Sequence, residues 1–338
     1  MKDTKRRFEV YSFYDYTGMA LHLSKMAQRG WLVEKVSNFG WTYRRIDPKK
    51  LTFFISYFPK ASEFDPEPTE EQKMFHDFCR HTGWVLAATS AQMQIFYNEQ
   101  ENPAPIETEP VLEVETIHRA AKKSFLPGFF GLLAISLLNG SLLIPRLLRD
   151  PIEVLSSSAN LFAGFAYAML FLQCMIELCG YFIWHSKAKK AAKRGEFTES
   201  FRSSGIHRVI LAVVLVGFAC WFLTLIMLGS AITRIIYISV MLYMIALIVL
   251  INAIKGYLKR KKAPKNFNRT ITFLACFILS YAMMGGITFG VIRASQNGLF
   301  EKNRETYEYN GHTYTAYLDE LPLTVEDLLA GDYNGYIR

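Results

Sequence analysis

Apolar and polar positions follow two rhythms along this chain. From residue 125 to 292 the apolar positions are nearly continuous. Five runs of about 20 residues each read Phe125–Ile144, Ser156–Trp184, Val209–Leu228, Ile235–Ile254 and Ile271–Ile292. A helix of about 20 apolar residues spans the hydrocarbon core of a bilayer. None of the runs carries the polar stripe that a soluble surface helix turns to water. The pattern predicts an all-α region of five transmembrane helices.

Residues 1–99 alternate over short stretches instead, in two matched β-α-β-β units. The first predicts a strand at Phe8–Tyr14, where aromatic and β-branched residues cluster. Asp15 and Thr17 cap a helix over about Gly18–Arg29, with Met19, Leu23 and Met26 on its apolar face. Gly30 ends it in a left-handed conformation, and strands follow at Trp31–Val36 and Trp41–Ile46. The second unit repeats the order: strand Leu51–Phe58, loop Asp65-Pro66-Glu67-Pro68, and a capping box of Thr69 and Gln72. Its helix has Met74 and Phe78 inward, stops at Gly83-Trp84, and leads to strands Val85–Thr89 and Met93–Tyr97. The expected fold class is α+β, with duplicated units in one antiparallel-rich sheet related to ferredoxin-like architecture, both helices on one face.

Gln100–Pro110 is acidic, holds Pro103, Pro105 and Pro110, and reads as an extended linker. Val111–Ser124 reads as a short helix feeding the first span. Residues 293–338 form a separate polar segment. Thr306–Tyr309 and His312–Tyr317 flank Asn310-Gly311, the signature of a type I′ hairpin. Leu321-Pro322-Leu323 and a helix start at Thr324 and Asp327 follow.

The net charge of +8 first suggests nucleic acid, but the positions of the charges argue against it. Lys187, Lys189, Lys190, Lys193, Arg194, Arg202 and Arg208 fill one connector, and Lys255, Lys259, Arg260, Lys261, Lys262, Lys265 and Arg269 fill another. The alternate connectors hold only Arg146 and Arg149 beside Asp150 and Glu153, and Arg234 alone. By the positive-inside rule both rich connectors and residues 1–124 are cytosolic. Five spans then put the C-terminus outside. The charged start Met1–Arg7 does not read as a signal peptide. Cys174, Cys179, Cys220 and Cys276 lie in apolar runs and Cys79 outside them, so no disulfide framework is expected.

Glu177 is the main acid inside the apolar runs, about 10 Å before Trp184 at the helical rise. Such a group is a candidate proton or cation relay or the partner of a buried base. The alternative is an interfacial acid that snorkels or pairs with Lys187 or Lys189. Gln173, Asn139, Asn160 and Asn252 are amides suited to interhelical hydrogen bonds. Ala282, Gly286 and Gly290, at i, i+4 and i+8, form a small-residue stripe for helix packing. His76, Cys79 and His81 have the wrong spacing for a helical metal pair. The tryptophans Trp31, Trp41 and Trp84 read as core rather than a ligand groove. No phosphate loop or nucleophile elbow occurs. No catalytic residue, cofactor or metal is expected.

Three stretches resemble one known family. The Phe8-Glu-Val-Tyr-Ser-Phe-Tyr segment, the Met26-Ala-Gln-Arg-Gly-Trp31 helix exit and Trp41-Thr-Tyr-Arg are similar to the N-terminal domain of the bacterial domain-of-unknown-function 2812 family. The resemblance covers about residues 5–120, and the Asp319–Thr324 segment looks like that of longer members. It implies a Gram-positive plasma membrane and neighbouring PadR-type transcriptional regulators. It implies no catalytic residue. The expectation is a non-enzymatic signalling or regulatory membrane protein. Its partners are the lipid bilayer, a cytosolic protein and a second copy of the chain, not nucleic acid. The competing expectation is a transport accessory or small-substrate permease acting as a dimer.

Overall fold

The computed structural model describes residues 3–37, 40–200, 204–228, 231–296 and 304–317. It divides into two units, Met1–Thr272 and Phe273–Arg338.

The chain opens with β1 (Thr4–Arg7), α1 (Tyr16–Gln28), β2 (Trp31–Lys35) and β3 (Trp41–Arg45), then repeats with β4 (Thr52–Tyr57), α2 (Glu70–His81), β5 (Val85–Ser90) and β6 (Met93–Asn98). Each repeat is a three-stranded antiparallel sheet with its last strand in the middle, in the orders β1-β3-β2 and β4-β6-β5. The helix starts follow the side-chain caps. Asp15 accepts from the Gly18 amide at 3.1 Å and Thr69 from the Gln72 amide at 3.3 Å. The stops are at Gly30 (φ +79°) and Gly83 (φ +86°).

Two sheets replace the single one expected. β2 and β5 run beside each other, but β2 is bulged between Val33 and Lys35 and β5 between Leu86 and Ala88. A bulge bends its strand, and among the described residues no ladder joins β2 to β5.

Two further expectations are corrected. Phe8–Tyr14 is not a strand: β1 lies upstream, and residues 8–15 are irregular and lead into α1. Their aromatic rings cluster for another reason, given below. On α2, Met74 and Phe78 face outward at 64% and 55% exposure, while Gln72, Phe75 and Cys79 face the sheet. The stripe at 75 and 79 sits one residue over from the one at 74 and 78. Both have i, i+4 spacing, so periodicity alone does not separate them.

The helices are α3 (Pro110–Lys123), α4 (Phe125–Arg149), α5 (Pro151–Ser156), α6 (Ser158–Ala192), α7 (Ser204–Leu228), α8 (Ala231–Arg260) and α9 (Lys265–Gln296). Five of them, α4 and α6–α9, are long and apolar enough to cross a bilayer, which makes this a multi-pass membrane protein. α6 is the hub, packing against α3, α4, α5 and α7. Glycine permits two of these approaches. A Cβ at Gly164 would meet Leu143 at 3.0 Å, and one at Gly217 would meet Phe165 at 2.6 Å.

The segment expected to be an extended linker is packed against the domain. Ile106 is buried with Trp84, Cys79 and Phe96, and the Trp84 indole donates to the Ala104 carbonyl at 2.8 Å. In the unit Phe273–Arg338, β7 (Arg304–Tyr309) and β8 (His312–Tyr317) pair as a hairpin. Asn310 (φ +51°) and Gly311 (φ +74°) make its turn, as a type I′ turn requires. Leu321-Pro322-Leu323 and the helix start at Thr324 and Asp327 lie outside the described residues.

Candidate functional site

The aromatic stretch of residues 8–15 is seated on the transmembrane helices. Tyr14 is fully buried, stacked on Trp184 at 6.2 Å and tilted against Tyr181 at 6.2 Å, both on α6. Phe13 stacks on Phe125 at 5.4 Å, where α4 begins. A Cβ at Gly180 would collide with the Tyr14 hydroxyl, so glycine there admits the ring. One apolar core therefore runs unbroken from Leu23, Val33 and Ile95 through Val114 and Ile117 to Phe125, Leu178 and Trp184.

Inside this seat lies a chain of polar groups. Ser12 Oγ donates to Glu177 Oε1 at 3.1 Å and lies 2.8 Å from His207 Nε2 on α7. His207 Nε2 is 3.2 Å from Glu177 Oε1, and Gln173 Nε2 is 2.8 Å from His207 Nδ1. Ser12, His207 and Glu177 are 1%, 2% and 5% exposed. One arrangement of hydrogens satisfies the series. Gln173 donates to Nδ1, the ring carries its hydrogen on Nε2 and donates to Ser12, and Ser12 donates to Glu177. The second carboxylate oxygen, Oε2, has no hydrogen-bond partner among the described residues. This is not the layout of a nucleophile triad. There the carboxylate orients the ring nitrogen opposite the one facing the hydroxyl; here hydroxyl and carboxylate meet the same nitrogen.

Two clamps fix the domain around this chain. The first joins the start of α1 to the first basic connector. The Ser200 amide donates to Thr17 Oγ1 at 2.7 Å, Ser200 Oγ donates to Asp15 Oδ1 at 3.1 Å, and the two hydroxyls are in contact. The Tyr16 hydroxyl donates to the Thr198 carbonyl at 2.8 Å. The second clamp joins the acidic loop before α2 to the second connector. Lys255 pairs with Glu63 at 3.1 Å, Lys262 with Glu67 at 2.7 Å and Lys265 with Asp65 at 3.6 Å. The Asn268 side chain donates to the Phe64 carbonyl at 3.3 Å. The α/β domain and both lysine-rich connectors thus share one side.

An acid pair lies where α3 joins the domain. Burial pushes the Glu107 carboxyl up to about 7, and the neighbouring Glu113 charge adds to it; Ser56 offsets part of the shift. Burial also raises Glu113, partly offset by the neighbouring Tyr16 hydroxyl.

Residues 15–129 match the family described as "Protein of unknown function (DUF2812)". The DUF2812 segment runs from the cap of α1 to Phe129 in α4; it takes in α3, which packs on α6, and begins just after Ser12 and Tyr14. No curated protein and no solved structure matches the chain.

Glu177 and Gln173 are brought together, through His207. Asn139 and Asn252 are not: each donates to its own helix, to the Ile135 carbonyl at 2.9 Å and the Ile248 carbonyl at 2.8 Å. Asn160 sits in the first turn of α6, its backbone N–H donating to the Ser157 hydroxyl. Ala282, Gly286 and Gly290 lie exposed on α9. His76 bonds Gln94 at 2.8 Å. Ser12, His207 and Ser200 were not legible as site residues. The available signal was His207, a histidine two residues before the apolar run at Val209.

Proposed function

We propose that the chain is a non-enzymatic signalling or regulatory protein of the bacterial plasma membrane. Its helices and its α/β domain report on each other through Ser12, His207 and Glu177. The observation that carries this reading is the buried hydrogen-bond chain, which ties a domain residue to two transmembrane helices. A change in the spacing of α6 and α7 has to break that chain or move residues 8–15, and with them the first turn of α1. The positive-inside rule supports a cytosolic domain, and the family resemblance supports a bacterial setting beside PadR-type regulators. The segment after α9 would then receive the signal outside, and the domain would engage a cytosolic protein.

The test uses tagged full-length protein recovered from membranes of cells grown with and without envelope stress. The expected result is a cytosolic partner whose recovery changes with stress and becomes constant in a Ser12→Ala/His207→Leu variant. Recovery of no partner under either condition would refute the reading.

The same row of polar groups favours one other reading, a transport accessory or permease acting as a dimer, with Glu177 moving a proton or cation. Unchanged uptake and efflux in Glu177→Gln, at normal protein level, removes it.

A further inference from the structure

We propose that the groove between α3 and the inner end of α6 binds the phosphate of an anionic phospholipid drawn from the membrane the helices cross. The groove holds about 410 Å³, room for a headgroup. Arg119 lines one wall, and Lys189 and Lys193 line the other. Glu115 is the acid among the lining residues, and it holds Arg119 at 3.4 Å. The cations outnumber it. His118 and His185 also line the groove and stack at 4.1 Å. His185 Nδ1 has no hydrogen-bond partner among the described residues. Burial, then the charges of Lys122 and Lys189, hold His118 below the usual imidazole range.

Depth selects the membrane as the source. Tyr181 touches Phe125 at 5.4 Å between ring centres, and Phe125 opens the first span. His185 lies four residues further along α6, about 6 Å at the helical rise. The headgroup layer extends about 5–7 Å beyond the hydrocarbon on each side. The base of the groove therefore stands at phosphate level. Lys189 stands one helical turn further out, about 6 Å, close enough for its side chain to reach back to that level, and lysine near the surface attracts anionic lipid by about 1 kcal/mol per residue.

A basic connector serves topology whether or not it binds lipid, so the test must separate the groove from the charge. Full-length protein is purified from membranes into detergent, offered phosphatidylglycerol or phosphatidylcholine, and weighed intact with bound lipid. The wild type should retain phosphatidylglycerol preferentially. Lys189→Gln/Lys193→Gln should lower that retention roughly tenfold or more, as two such charges predict. Arg119→Gln, on the opposite wall, should lower it too. Lys187→Gln/Lys190→Gln removes the same charge from the same helix end outside the groove and should leave retention unchanged. Equal loss in both lysine pairs, equal retention of the two lipids, or displacement by millimolar inorganic phosphate would each overturn the proposal. Monodisperse elution of each variant shows that it is folded.

Discussion

At the scale of single residues, the seat of Tyr14 on Gly180 is the tightest demand on sequence. Gly180→Ala pushes a methyl into the Tyr14 hydroxyl, and such overpacking costs about 1–3 kcal/mol. The expected outcome is a lower melting temperature of the full-length protein in detergent. Because the colliding atom is the hydroxyl, Tyr14→Phe should recover part of the loss. A double-mutant cycle measures that coupling, and additive losses would show that the two residues do not meet. Glu107 gives a second prediction. Its folded value of about 7 lies above the ordinary 4.5. Between those values the folded chain keeps a proton that the unfolded chain has lost, so stability falls as pH rises through this window. The contribution is complete below about pH 4.5 and gone above about pH 7. Glu107→Gln should flatten the fall and be the more stable form at pH 8, by on the order of 3 kcal/mol. Melting temperatures from pH 4.5 to 8 check it; Glu113, shifted the same way, leaves a smaller slope. Glu177 could be singled out from sequence because an acid in an apolar run is conspicuous. Its partners could not. Ser12 is 165 residues away and Ser12 to His207 spans 195, distances over which local pattern carries no information.

At the scale of elements, the duplication was legible because it is written in local rules: a cap, an apolar stripe, and a glycine followed by tryptophan. The two glycine stops are not equally strict. A Cβ at Gly30 would meet the Ile46 carbonyl oxygen at 2.8 Å, while one at Gly83 would meet the Asn98 side chain at 3.2 Å. Both carry the cost of positive φ, roughly 1–2 kcal/mol. Gly30 adds a clash with backbone, whereas the Asn98 amide can turn away. Gly30→Ala should therefore destabilise more than Gly83→Ala, and reversed melting temperatures would show that the repeats tolerate substitution differently from this geometry. Misreading Phe8–Tyr14 as a strand has a related cause. Aromatic clusters fit a half-buried strand, but these rings cover α6 and α4, and nothing local distinguishes a sheet from a helix bundle as the surface they cover.

At the scale of the molecule, the hydrogen bonds fix which parts share a side, and the proposed choice of side rests on charge. Domain, first connector and second connector are tied together through Ser200, Lys255 and Lys265. Their orientation is a single choice rather than three. Each exposed ion pair contributes at most about 1 kcal/mol, so the apolar core and the Ser12 chain carry the attachment while the pairs set register. α6 is 35 residues long, about 52 Å at the helical rise, so α5 and the Lys193 end lie far apart along it. In the orientation proposed from the positive-inside rule, the Lys193 end lies in the cytosol. In a cysteine-free background, Glu196→Cys should then be shielded in intact cells from a membrane-impermeant maleimide and react after the cells are opened. Glu153→Cys on α5 should react in both. Labelling of Glu196→Cys in intact cells would turn the whole assembly over, since the clamps prevent one connector from crossing alone. It would leave the fold untouched and remove the cytosolic partner on which the signalling reading depends.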